Sequence, residues 1–174
     1  GFYELLKKSG AKIKFTNRKR KNNELIGDIF VKSEKIKPIK ASSEYYVKAT
    51  DEYPILFIIS ALTKGTSIFK NVGGLKNKES DRVKEMQKVL GQVGIRTLLS
   101  KNELRIFGKG MINGNNKKII VQNLGDHRIA MSAFVLASLT GAKAKIKNFE
   151  TVFTSSPSFL KIMKFLGAKF EKQK

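Results

Sequence analysis

Asp51 to Asn71 reads DEYPILFIISALTKGTSIFKN, and Asp126 to Asn148 reads DHRIAMSAFVLASLTGAKAKIKN. Each begins with Asp, runs through a nearly all-apolar stretch to a Gly, and closes on a short alternating segment that ends at Asn. Asp to Gly takes 14 steps in the first (51 to 65) and 15 in the second (126 to 141), and the two Asp lie 75 apart. An apolar helix with no polar face belongs inside a protein, and an alternating run after a glycine stop reads as a strand. Two copies of one buried-helix-to-strand module are therefore expected, and a repeat of this length governs the architecture.

A second repeat surrounds the first. FYELLKKSGAKIKF from Phe2, VKEMQKVLGQVGIRTLL from Val83 and SFLKIMKFLGAKFE from Ser158 each read amphipathic helix, Gly, strand. In the middle copy Val83, Met86, Val89 and Leu90 share one face, as in a helix that covers a sheet. Gly65, Gly94, Gly141 and Gly167 stand where left-handed helix ends belong. Ile95 to Leu99 and Glu103 to Phe107 flank Ser100-Lys101-Asn102 as a hairpin. The chain thus divides into the end of one unit (1 to about 48), a full unit (about 49–123) and most of a third (about 124–174). Each unit runs strand, buried helix, strand, amphipathic helix, strand and hairpin partner, giving a modular α/β domain. The helical pattern is under way by residue 5 with no leader before it, as expected of a C-terminal piece of a longer protein.

Composition removes several classes. The 174 residues are 41% hydrophobic and contain no Cys, which excludes a disulfide framework and Cys-ligated zinc or iron–sulfur sites. His127 is the sole histidine, so no metal site is expected. The longest apolar run, Ile55 to Ile59, is far short of the roughly 20 residues of a membrane helix, and a soluble, cytoplasmic protein is expected. The net charge is +21, from 35 basic and 14 acidic residues, and only six of the basic residues are Arg. The lysines spread over polar faces as a solvated surface does. The one run, Asn17 to Asn23 (NRKRKNN), falls where a hairpin turn is expected.

Four polar clusters break the apolar pattern at expected helix starts: Asp51 to Pro54, Lys78 to Arg82, Asp126 to Arg128, and Thr154 to Pro157. Pro54 and Pro157 suit a first helical position, and Asp51, Ser80, Asp126 and Ser156 suit an N-cap. Lys78, Arg82 and Arg128 do not, because a cation meets the positive end of the helix dipole there. Cations at several such ends make sense around a small, multiply charged anion such as a phosphate or carboxylate. Asp51 and Glu79 lie among them, where depressed pKa values are expected. With His127 they are the proton-transfer candidates, and the residues do not divide the roles among the three. No phosphate-binding P-loop, serine-hydrolase elbow or dinucleotide fingerprint is present.

LKNKESDRVKEMQKVLGQVGI from Leu75 and LGDHRIAMSAFVLASLTGA from Leu124 closely resemble the EPSP synthase family, the 3-phosphoshikimate 1-carboxyvinyltransferases. DEYPIL at Asp51 and TSSPSF at Thr154 match in order and spacing, and the resemblance spans the whole chain, as roughly the last two-fifths of such an enzyme. It implies an inside-out α/β barrel domain of βαβαββ units, incomplete here, of the enolpyruvyl transferase type. It also implies transfer of the enolpyruvyl group of phosphoenolpyruvate to the 5-hydroxyl of shikimate 3-phosphate, with release of phosphate, on the way to chorismate and the aromatic amino acids. No cofactor is implied.

By the same resemblance Asp51 accepts the 5-hydroxyl proton and contacts shikimate 3-phosphate, and Lys78 contacts that substrate beside it. Glu79 protonates the methylene carbon of phosphoenolpyruvate and later helps to remove a proton. Arg82 and Arg128 hold phosphoenolpyruvate, with His127 in support. The partners implied are the two substrates and a missing N-terminal domain, in an enzyme expected to be monomeric. The 174 residues alone are expected to be inactive. Three positions depart from the family pattern. Gly74 stands where many members place an Asn that touches the substrate, so that contact is expected to be missing. Thr154 replaces a phosphoenolpyruvate-binding Lys of some members, and Ser156 an aromatic before the Pro. Two other readings compete: a basic nucleic-acid-binding module, for which strand aromatics are few and Trp is absent, and a non-catalytic relic, against which the intact Asp51 and Glu79 argue.

Overall fold

The computed structural model describes residues 1–122 and 124–171. An amphipathic helix, α1 (Phe2–Lys8), leads into a two-stranded antiparallel ribbon of β1 (Lys12–Lys21) and β2 (Glu24–Lys32). A four-stranded sheet follows in the order β3 (Lys40–Ala41), β4 (Gly65–Lys70), β6 (Glu103–Gly108), β5 (Arg96–Ser100). β3 and β4 are parallel, while β6 runs antiparallel to both of its neighbours. Between β3 and β4 the chain passes through α2 (Glu44–Ala49), a 3-10 turn (Thr50–Glu52) and α3 (Tyr53–Ala61). A second 3-10 segment (Val72–Asn77) and α4 (Arg82–Gln92) join β4 to β5. The pattern then restarts: β7 (Lys118–Val121), α5 (His127–Thr140) and the parallel β8 (Lys143–Ile146), followed by α6 (Thr151–Ser155) and α7 (Phe159–Phe165).

The order β3, α3, β4, α4, β5, β6 is the βαβαββ unit expected from the repeat, and the fold is mixed α/β. Each buried helix has its own strand before it, β3 or β7, upstream of the Asp on which the repeat aligns. A parallel pair needs such a crossover helix, which explains why the apolar segments are helices rather than strands.

α3 and α5 form the centre. Leu56, Phe57, Ile58 and Ala61 of α3 and Ile129, Ala133 and Leu136 of α5 are 1% exposed or less. The rings of Tyr53, Phe57 and Phe69 meet edge to face with centroids 4.9–5.8 Å apart, the arrangement aromatic quadrupoles favour. The cluster begins at Tyr53, two residues after Asp51, and truncating Phe57 to Ala would cost about 3–5 kcal/mol. On α4 the expected face of Val83, Met86, Val89 and Leu90 is buried. Gly141 caps α5 at φ 74°, a left-handed value that a side chain would strain.

Several local expectations change: Asp51 lies inside the 3-10 turn and does not cap α3, whose N-cap position is Glu52, and no strand follows Gly167 among the described residues. Asn17 to Lys21 continue strand β1, with a bulge between Thr16 and Lys19, and only Asn22 and Asn23 form the turn, at φ 49° and 66°. Asparagine tolerates that region, so the turn settles on the two Asn rather than on the basic residues. Gly65 opens β4 instead of capping α3, which ends at Ala61 with Leu62 as its C-cap. The cap of α4 is Asp81, whose side chain accepts from Lys84 N at 3.0 Å, and not Ser80. Ser156 closes α6, and α7 starts after Ser158, so neither Ser156 nor Pro157 begins a helix. No helix among the described residues is long and apolar enough to cross a membrane.

Candidate functional site

Three of the four polar clusters meet. The 3-10 turn delivers Asp51, the segment before α4 delivers Lys78, Glu79 and Ser80, the first turn of α4 delivers Arg82, and the start of α5 delivers Asp126 and Arg128. The parallel repeat explains the meeting. α3 and α5 occupy equivalent places in successive units, so their leading Asp residues come to one end of the domain.

Arg82 is the hub and is 1% exposed. Its Nε donates to Asp126 Oδ2 at 2.9 Å, Nη1 to Asp51 Oδ1 at 3.1 Å, and Nη2 to Glu79 Oε2 at 2.5 Å. A cation in the first turn of a helix is unfavourable by itself, and burial adds a desolvation cost. Three carboxylates aligned on a planar fork offset both, which an ammonium could not reproduce. Burial pushes the Arg82 pKa down, but its hydrogen bond and charge pairing with Asp126, with help from Glu79 and Asp51, more than reverse that.

Asp126 does two jobs. Its Oδ1 accepts from the backbone N–H of Arg128 and Ile129, capping α5 as expected. Its Oδ2 accepts from Arg82 and from Ser80 Oγ at 2.9 Å. The side chain has no exposed area, so each lone pair is spent inside the protein. The second job goes unseen when Asp126 is read only as a cap. The repeat carried the signal, because Asp51 and Asp126 are repeat equivalents and both hold Arg82. The claim on Ser80 by Asp126 also explains why Asp81 caps α4.

Asp51 is 44% exposed at its side chain and collects cations from three segments. Arg128 donates Nη1 to Asp51 O at 2.9 Å and Nη2 to Oδ2 at 3.3 Å, and Lys78 Nζ stands 3.8 Å from Oδ1. Partial burial raises the Asp51 pKa, but Arg128, Arg82 and Lys78 outweigh it and hold the carboxyl below its ordinary value. The expected depression is thus met at Asp51. His127 opens α5 half-buried, and its ring has no hydrogen bond among the described residues.

The fourth cluster stands apart. Thr154 Oγ1 donates to Thr151 O, and Ser156 N donates to Val152 O, both inside their own helix. Three cations therefore face three carboxylates. The centre is charge-compensated as it stands, and Arg128 and Lys78, each 31% exposed, are the cations an incoming anion can recruit.

Residues 2–163 match the family model described as EPSP synthase (3-phosphoshikimate 1-carboxyvinyltransferase). A 3-phosphoshikimate 1-carboxyvinyltransferase from Clostridium tetani is 37% identical over 94% of this chain. An EPSP synthase structure from Acinetobacter baumannii superposes with a TM-score of 0.84 over 98% of the chain at 32% identity. The enolpyruvyl transferase NikO from Streptomyces tendae shares the fold, with a TM-score of 0.60 over 97% of the chain at 16% identity. The chain spans 37% of the C. tetani protein, 40% of the A. baumannii chain and 35% of NikO.

Proposed function

Because this chain belongs to the EPSP synthase family, we propose that it is the C-terminal part of an enzyme that moves the enolpyruvyl group of phosphoenolpyruvate to the 5-hydroxyl of shikimate 3-phosphate and releases phosphate. Residues 1–174 supply the end of one βαβαββ unit, a whole unit that runs from β3 to β6 (40–108) and so starts before the expected boundary at about 49, and the larger part of a third that opens with β7 (118–121). The N-terminal portion of the protein supplies the rest of the two substrate sites. The enzyme is a cytoplasmic monomer that needs no cofactor and serves chorismate and aromatic amino-acid synthesis.

The observation that carries this reading is the convergence of Arg82, Arg128 and Lys78 on Asp51. Two substrates that each bear a phosphate must share one cleft, and their repulsion is offset only by preorganised cations. Arg128 grips phosphoenolpyruvate through its fork, His127 supports it, and Lys78 meets shikimate 3-phosphate. The resemblance also gives Arg82 to phosphoenolpyruvate, a contact that requires its fork to be uncovered; buried as it is here, it aligns Asp51 and Glu79.

Asp51 accepts the proton of the 5-hydroxyl as that oxygen bonds to C2 of phosphoenolpyruvate. Glu79 delivers a proton to the methylene carbon, which becomes a methyl group in the tetrahedral adduct. Glu79, left as the carboxylate, then takes back one methyl proton as the C2–O bond to phosphate breaks, which restores the double bond. The cations that hold the Asp51 pKa down are those the substrates recruit, so substrate binding itself raises the basicity of Asp51.

The test is the product. The full-length gene product, given phosphoenolpyruvate and shikimate 3-phosphate, should release phosphate and form the enolpyruvyl ether, followed by phosphorus NMR. No release should occur with UDP-N-acetylglucosamine as acceptor. Release with neither acceptor, from folded protein, would overturn the proposal.

A further inference from the structure

Gly74 lies in the 3-10 segment Val72–Asn77, four residues before Lys78. The space its side chain would fill is not empty. The three atoms nearest to a Cβ built there all belong to Tyr46, and the phenol oxygen is the nearest, too close for any side chain at position 74 to fit beside it. Tyr46 lies on α2, five residues before Asp51. Two segments therefore run side by side, Tyr46 against Gly74 on one rung and Asp51 against Lys78 on the next.

The Tyr46 hydroxyl has no hydrogen-bond partner among the described residues, is not shut off from water, and belongs to a half-buried side chain beside the site. Behind it stands Tyr53, ring centroids 6.1 Å apart, with a fully buried hydroxyl that has no protein partner either. Burial, reinforced by Tyr46, pushes the Tyr53 phenol up to about 12, so it stays neutral and able to donate. A phenol held by ring packing loses little conformational freedom on binding.

We propose that Tyr46 is a substrate-contact residue of this enzyme: its hydroxyl donates to shikimate 3-phosphate from the place a side chain at position 74 would occupy. The substrate contact expected to be missing at Gly74 is thereby supplied from another helix. Gly74 is then required, because any larger residue displaces the phenol. The assignment rests on the function proposed above.

The experiment is steady-state kinetics on the full-length gene product carrying Tyr46→Phe, which removes one oxygen and keeps the ring. A donor lost from a charged acceptor is worth about tenfold or more, so the KM for shikimate 3-phosphate should rise about tenfold. The KM for phosphoenolpyruvate and kcat should stay within about twofold, as expected for a group that binds one substrate uniformly. Tyr46→Ala should weaken shikimate 3-phosphate further, and adding Gly74→Asn to it should recover part of the loss by placing an amide in the vacated space. An unchanged KM for shikimate 3-phosphate in Tyr46→Phe would overturn the assignment. Equal losses for both substrates would do so too, because they would mark Tyr46 as packing beneath the loop. If the unsubstituted protein fails to turn over, the functional reading falls and this assignment with it, an outcome visible before any variant is made.

Discussion

Arg82 Nε lies 2.9 Å from Asp126 Oδ2, and both side chains are shut off from water. This pair ties the start of α4 to the start of α5. The other contacts of Arg82 extend the tie to Asp51 and Glu79, so both acids are held in place by the chain itself.

Asp126→Asn keeps a residue able to cap α5 but leaves Arg82 short of its one fully buried counter-charge. Breaking a buried pair from one side costs about 3–5 kcal/mol. Urea unfolding of the full-length protein should show a loss of that size. A change under about 1 kcal/mol would mean that Asp51 and Glu79 suffice to hold Arg82.

Arg128→Ala should act on binding. Arg128 is the partly exposed arginine of the site, and losing one clustered charge-assisted contact is worth a few kcal/mol. The KM for phosphoenolpyruvate should therefore rise far more than kcat falls. The reverse pattern in steady-state kinetics would place Arg128 at the transition state alone.

Asp51 has a folded-state pKa below its ordinary value of 3.8. The native state thus holds this proton less readily than the unfolded chain. The stabilisation is complete above the unfolded value and is lost as pH falls through the folded one. Unfolding free energies of the unsubstituted protein and of Asp51→Asn should run parallel above about pH 5 and converge below pH 3.8. Curves that stay parallel into acid would show that Asp51 gains nothing from its cations.

The 174 residues expressed alone should show no enolpyruvyl transfer, because the chain spans 37% of a full relative and carries one side of the proposed cleft. Phosphate release by this piece at the rate of the full-length protein would contradict that division of labour.

The repeat made most of the fold legible. Apolar runs opening on Asp51 and Asp126 identified the buried crossover helices, and the spacing of Val83, Met86, Val89 and Leu90 identified the covering one. Adjacent residues of similar propensity were not separable. Ser80 and Asp81 are both good caps, and only the distant Asp126 decides between them. Arg82 shows its charge in the sequence but not its burial, which follows from three acids arriving from three segments. Tyr46 gave no signal at all, since its meeting with Gly74 depends on the packing of α2 against a 3-10 segment 28 residues later.

The most direct measurement of the site is deuterium incorporation by the full-length protein, run in heavy water with phosphoenolpyruvate and shikimate 3-phosphate. If Glu79 delivers the proton to the methylene carbon, product from the unsubstituted protein carries solvent deuterium at that carbon, and Glu79→Gln forms product and incorporates label at a rate lower by orders of magnitude. Deuterium entering at the same rate in Glu79→Gln as in the unsubstituted protein would contradict the assignment of this cluster as the reacting centre.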